Sequence, residues 1–259
     1  MLGINLEICK NADTLAARAA EMVTAAARAA IQQRGKFTLV LSGGSTPEKL
    51  YALLAQPERS AAIDWLNVSL FFGDERFVSA EDPASNFGMA RRSLLGGINV
   101  PTAQVFAMPT DEESPAKVAA AYSRELGRAF GQTPDSAPPP RFDLVLLGLG
   151  DDGHTASLFE GKDSLHVTDK WVTWSSPGVL PPLVDRITLT YPVLNATREV
   201  VFLVAGQKKA DVLQEVLEGV PGFDQYPAAG VRPTEGTLTW LVDESAASRL
   251  RRRHSRVLE

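Results

Sequence analysis

Four short polar segments carry the residue types that chemistry needs, and each follows a run of apolar residues. The first, Ser42-Gly43-Gly44-Ser45-Thr46-Pro47, follows FTLVL (37–41) and precedes a helical pattern. Two glycines let the backbone approach a ligand and turn several N–H groups one way, Ser45 and Thr46 add hydroxyl donors, and a helix N-terminus attracts anions. Thr46 is the expected N-cap and Pro47 the expected first helical residue. The segment lacks the Gly-Lys-Ser/Thr ending of a nucleoside-triphosphate loop. On this segment alone, phosphate binding and an ordinary strand-to-helix turn stand equal. The second, Gly73-Asp74-Glu75-Arg76-Phe77, sets three charges directly after VSLFF (68–72). An arginine there can pair with phosphate or with a developing oxyanion. Taken alone, a solvated loop with Arg76 paired to Asp74 or Glu75 is the simpler reading.

The third segment, Gly148-Leu149-Gly150-Asp151-Asp152-Gly153-His154-Thr155, follows FDLVLL (142–147). Gly148, Gly150 and Gly153 match G-x-G-x-x-G, and Asp169 lies near the ~20-residue spacing of a dinucleotide site. Physical chemistry argues against that site. Asp151 and Asp152 would aim two negative charges at a pyrophosphate, and Thr155 to Gly161 is too short for the crossover helix. What remains is a carboxylate and an imidazole two residues apart. Histidine titrates near neutrality, so His154 can take a proton from water, and Asp152 can orient its ring. The chain has only three histidines, and this one stands at a strand end rather than on an apolar face, which favours function. A metal site would need a third ligand, and neither His166 nor His254 has supporting spacing. No metal is expected.

In the fourth segment, Gly206-Gln207-Lys208-Lys209-Ala210, two lysines open a helix where the dipole disfavours cations. A bound anion accounts for that placement; ordinary surface lysines are the plain alternative. Arg186, which starts RITLT (186–190), is a further candidate cation. The chain has no Gly-x-Ser-x-Gly elbow, so a serine hydrolase of the α/β type is not expected.

A scaffold that ends several strands at one edge would gather these segments. Apolar runs at 37–41, 68–72, 142–147, 171–174, 186–190, 200–204 and 238–242 read as strands. Patterns at 11–34, 47–54, 86–95, 115–130 and 207–217 read as helices, the first capped by Asn11 or Asp13 and stopped near Gly35. Prolines 134, 138, 139 and 140 make 132–141 a loop. Strands alternating with helices predict an α/β fold with three layers, a mostly parallel sheet flanked by helices. Ligands bind such sheets at the carboxyl ends of the strands. No linker interrupts the pattern, so one domain over 1–259 is expected.

Of 259 residues, 44% are hydrophobic and 22% charged, enough to bury a core without staples. The net charge of −5 lacks the basic field of a nucleic-acid binder. A single cysteine, Cys9, excludes an intramolecular disulfide framework or multi-cysteine cluster and fits a reducing compartment. No apolar run reaches membrane-spanning length. Met1 to Lys10, with Glu7 in its apolar stretch and no basic start, does not predict a signal peptide. The basic stretch Arg249 to Arg256 reads as a solvated end.

LSGGSTPEKLY (41–51), FFGDERFV (71–78), FDLVLLGLGDDGHTASLF (142–159), RITLTYPVLN (186–195), VFLVAGQKKADVL (201–213) and PAAGVRP…GTLTWLVDESAA (227–247) together resemble the 6-phosphogluconolactonase family, in that family's order and over nearly the whole chain. The resemblance implies a modified Rossmann fold of the glucosamine-6-phosphate deaminase and ribose-5-phosphate isomerase type. The deaminase relative usually has tyrosine where this chain has Arg76, and a glutamate where it has Phe159. One departure runs the other way: Glu160 stands where the lactonase family commonly has proline. The implied reaction is hydrolysis of 6-phospho-D-glucono-1,5-lactone in the oxidative pentose phosphate pathway, by a cytoplasmic enzyme without cofactor, monomer favoured. Phosphate would dock on the amides of Gly43, Gly44, Ser45 and Thr46, with Lys209 and Arg186 as counter-charges. His154 would be the general base, Asp152 its orienter, and Arg76 either an oxyanion or a phosphate ligand. The alternatives are a deaminase, with Asp74 as candidate base, and a non-catalytic phosphosugar-binding regulator.

Overall fold

A computed structural model describes residues 4–220, 222–251 and 256–258 of the chain. Its largest sheet runs β11 (Arg256–Leu258), β1 (Ile4–Cys9), β10 (Thr237–Asp243), β9 (Glu199–Val204), β6 (Leu144–Leu147), β2 (Phe37–Leu41), β3 (Val68–Phe72) and β5 (Val105–Phe106). Each neighbouring pair is parallel. All residues of β2 and β6 are buried, as continuous apolar runs covered on both faces should be. A smaller antiparallel sheet holds β4 (Asp74–Arg76), β8 (Arg186–Leu189) and β7 (Val172–Ser175). The runs near 171 and 186 are therefore strands, but not of the parallel sheet, and the charged segment after Phe72 is a strand rather than a loop.

The helices are α1 (Ala12–Arg34), α2 (Ser45–Leu54), α3 (Pro57–Ser60), α4 (Asn86–Ser93), α5 (Pro115–Phe130), α6 (Tyr191–Ala196) and α7 (Ala210–Glu218). Asn11 caps α1, its side chain accepting from Asp13 N at 3.0 Å and Thr14 N at 2.9 Å, while Thr14 Oγ1 accepts from Asn11 N. Gly35, at φ 74°, ends it in the left-handed region, where glycine has no Cβ penalty. α1 packs on β1, β2 and β10, and α5 packs on β7 and β8. One connected apolar core runs from Ile8 through β2, β3, β6 and β9 to Leu250. No helix among the described residues is long and apolar enough to cross a membrane. Arg252 to Ser255 of the basic stretch, with His254, lie outside the described residues; Arg249 pairs with Asp211 at 2.6 Å.

Strands β9, β6, β2 and β3 are consecutive neighbours, so the segments after Val204, Leu147, Leu41 and Phe72 leave one edge side by side. Between β6 and β2 the order of connection reverses, β2 leading to β3 and β5 on one side and β6 leading to β9 and β10 on the other. That is where an open parallel sheet forms a crevice.

Candidate active site

Buried tyrosines fix two of these strand ends. The Tyr51 hydroxyl, from α2, accepts from Ser42 N at 2.8 Å and donates to Ser42 O at 2.9 Å. The Tyr122 hydroxyl, from α5, does the same for Phe72, at 2.9 and 3.2 Å. Each pairs the peptide groups of a residue at the strand's end, where an unmet buried group would be costly. Gly44, at φ 106°, is the N-cap of α2 and offers no side-chain bond. The helix thus begins one residue before Thr46, and Pro47 is its third residue. A residue that needs positive φ makes the break in the chain, which overrides the hydroxyl's capping preference. Gly43 packs against the buried Asn86, whose Oδ1 would lie 2.0 Å from any Cβ placed there. The N–H groups of Ser45 and Thr46 lie in the first turn of the helix, where no intrahelical acceptor exists for them.

The third segment folds back on itself. Gly150 N donates to His154 O at 2.8 Å and Gly153 N to Gly150 O at 3.1 Å. That turn brings His154 Nδ1 to 2.5 Å from Asp152 Oδ1, and His154 N also donates to Oδ1 at 3.2 Å. Burial pushes the Asp152 carboxyl up, but the hydrogen bond and charge of His154 outweigh it and hold it below the usual carboxylate range. The Phe159 ring packs against the imidazole with centroids 4.8 Å apart. With Nδ1 engaged, Nε2 is the ring atom left to exchange a proton.

Cations gather beside this pair. In the β4–β8 register Arg76 stands directly opposite Arg186, and like charges so placed destabilise a sheet unless an anion joins them. Arg186 is 5% exposed; its guanidinium donates to Val184 O at 3.1 Å and Pro182 O at 2.7 Å. Burial foremost, and Arg76 among its neighbours, lowers its hold on the proton, while Asp74 opposes this. Arg76 Nη1 donates to Ala84 O at 2.6 Å, and its buried Nε has no partner among the described residues. Neither acidic neighbour pairs with its guanidinium. The Glu75 carboxylate instead accepts from the N–H groups of Arg76, Asn86 and Phe87 and from Ser85 Oγ, closing the N-terminus of α4. Asp74 accepts from Ser157 Oγ at 2.7 Å. From the fourth segment, Lys209 Nζ reaches Asp151 Oδ1 at 2.5 Å. It belongs to a single 3-10 turn, Gln207–Lys209, that precedes α7.

A cavity of about 240 Å³ joins these groups; Gly43, Gly44, Arg76, His154, Arg186 and Lys209 all line it, with Phe159 and Asp74. Of the residues singled out from the sequence, Asp152 stands behind His154, and Ser45 and Thr46 lie in the first turn of α2 outside the lining. No cluster of three or more potential metal ligands occurs among the described residues. The family model for glucosamine-6-phosphate isomerases/6-phosphogluconolactonase matches residues 10–240. The chain belongs to this family. The 6-phosphogluconolactonase of Synechocystis sp. is 41% identical over 95% of this chain and 98% of its own. That of Rattus norvegicus is 37% identical over 93% and 92%. The 6-phosphogluconolactonase structure from Trypanosoma brucei superposes with a TM-score of 0.82 at 29% identity, covering 96% of this chain and all of that one. A monomeric glucosamine-6-phosphate deaminase, at 20% identity and a TM-score of 0.78, shares the fold.

Within this glucosamine-6-phosphate isomerase/6-phosphogluconolactonase member, sequence reasoning passed over two supports of the site, Asn86 and Ser157, and the packing role of a third, Phe159. Asn86 and Ser157 hold the Asp74 carboxylate, Asn86 Nδ2 approaching it at 3.3 Å. Phe159 lies between His154 and Arg186, whose Cζ is 5.9 Å from the ring centre. Spacing could not reveal them, because each acts on a residue distant in sequence or through packing alone.

Proposed function

We propose that this protein hydrolyses 6-phospho-D-glucono-1,5-lactone to 6-phosphogluconate in the oxidative pentose phosphate pathway, by general-base attack of water. The observation that carries the reading is the convergence, in one cavity, of His154, backed by Asp152, with Arg76, Arg186 and Lys209. The amides opening α2, with Lys209, Arg186 and Arg76, hold the phosphate. This remote anchor sets the lactone carbonyl before the imidazole. His154 Nε2 takes a proton as water oxygen bonds to C1, and Asp152 stabilises the resulting imidazolium. Collapse of the tetrahedral intermediate breaks the bond from C1 to the ring oxygen, which receives the proton from His154. The reading takes the enzyme to be a cytoplasmic monomer.

The test follows loss of freshly generated lactone, with glucosamine 6-phosphate in parallel. Accelerated lactone loss is expected, reduced about 100-fold or more in His154→Ala. Lactone loss at the spontaneous rate, or release of ammonia from the amino sugar, would overturn the reading; near-normal turnover in a folded His154→Ala would remove the base.

A further inference from the structure

A cavity of about 1040 Å³ opens at the opposite edge of the sheet, where β2, β6 and β9 begin. Asp143, buried, joins two of these strands: its Oδ2 accepts from Thr38 N and Thr38 Oγ1, both at 2.9 Å. Its Oδ1 is shared by Arg34 Nη2 at 2.9 Å and Arg198 Nε at 3.3 Å. Four cations, Arg34, Lys36, Arg141 and Arg198, line the cavity against two carboxylates, Asp143 and Glu235. That excess stands out in a chain of net charge −5. Arg141 takes Glu235 at 3.2 Å. Lys36 has no carboxylate partner among the described residues, and its Nζ lies 6.0 Å from the centre of the Phe130 ring. Phe130, Pro138, Pro139 and Pro192 supply an apolar wall.

We propose that this cavity is a second binding site, for an organic phosphate that carries an aromatic ring, a nucleoside monophosphate in class. The phosphate lies between Lys36 and Arg198, whose donors exceed what Asp143 accepts. The flat ring lies on the wall of Phe130 and the prolines, and a cavity with convergent polar groups on one side and apolar cover on the other is the usual form of such sites. Strands β2 and β6 run from this cavity to the Ser42–Gly44 and Gly148–His154 segments, so both sites share a rigid floor. None of the six charged residues lines the candidate active site, and the proposal stands apart from the hydrolytic reading.

Calorimetric titration of the full chain with AMP tests it. Saturable binding of one molecule per chain is expected, retained in Lys209→Ala and in the presence of excess 6-phosphogluconate. Lys36→Glu, an exposed position, is expected to weaken it about tenfold with an unchanged circular dichroism spectrum. Ribose 5-phosphate and inorganic phosphate should bind more weakly, since both lack the ring. Absence of binding at millimolar AMP overturns the proposal, as does indifference to Lys36→Glu. Displacement by 6-phosphogluconate would assign the nucleotide to the active site instead, and inorganic phosphate binding as tightly as AMP would remove the aromatic requirement.

Discussion

At the residue scale, the contact between His154 and Asp152 depends on a neighbour with no side chain. Gly150 lacks the left-handed backbone that excuses many glycines; it is needed for room. A Cβ there would lie 2.0 Å from His154 Nδ1 and 2.5 Å from Asp152 Oδ1, far inside van der Waals contact. The third segment's likeness to a dinucleotide fingerprint thus has a different cause: one of its glycines clears space for an imidazole–carboxylate pair. Gly150→Ala should therefore separate activity from stability. Turnover is expected to fall at least about 100-fold, as for loss of a general base, while stability falls by roughly 1–3 kcal/mol from local overpacking. Lactone turnover measured beside urea denaturation checks this, and an alanine variant with near-normal turnover would show that the pair tolerates displacement.

At the scale of elements, the site depends on strand ends that do not move. Tyr51→Phe removes one hydroxyl and leaves both Ser42 peptide groups unmet in a buried place. The expected loss is about 1–3 kcal/mol in chemical denaturation, with a raised KM because the amides of Gly43 and Gly44 lose their anchor. An unchanged KM would mean that the segment is fixed by Asn86 alone. The elements legible in sequence were those whose burial is local and complete: FTLVL, LVLL and VVFLV (200–204) are continuous apolar runs, and those runs carry three of the four site segments. β1 was not legible, since Asn5 and Glu7 interrupt its apolar residues and Glu7 is matched by Arg18, 2.8 Å away on α1. β4 was hidden by its own charges. Asp74 and Glu75 enter a buried strand because Ser157 and the backbone opening α4 supply their hydrogen bonds, and no local pattern announces partners so distant. β7 and β8 were recognisable as strands but not assignable to a sheet, because pairing is a property of the fold. The opposition of Arg76 and Arg186 follows only from that pairing.

At the scale of the whole molecule, a single apolar core connects β1 to the residues beyond β10, and the lone thiol, Cys9 on β1, reports on it. Cys9 is 1% exposed. Burial first, then the charge of Glu7, pushes its thiol from 9.0 up to about 11. A thiol both enclosed and protonated reacts only when the core opens. If the chain unfolds as one domain, alkylation at pH 8 should be slower than in denaturant by the global unfolding constant, a factor of about 10³ or more. Far-ultraviolet circular dichroism and tryptophan fluorescence should then give coincident transitions. The titration adds a signed expectation. A folded pKa above the unfolded one means that the thiol's contribution to stability is whole below pH 9 and is lost as pH rises through about 11. The stability difference between the native chain and Cys9→Ala should therefore narrow by roughly 2 kcal/mol from pH 9 to pH 11. Rapid labelling of the folded chain would place β1 in a region that opens apart from the rest, and a stability difference indifferent to pH would show that burial does not hold the thiol protonated.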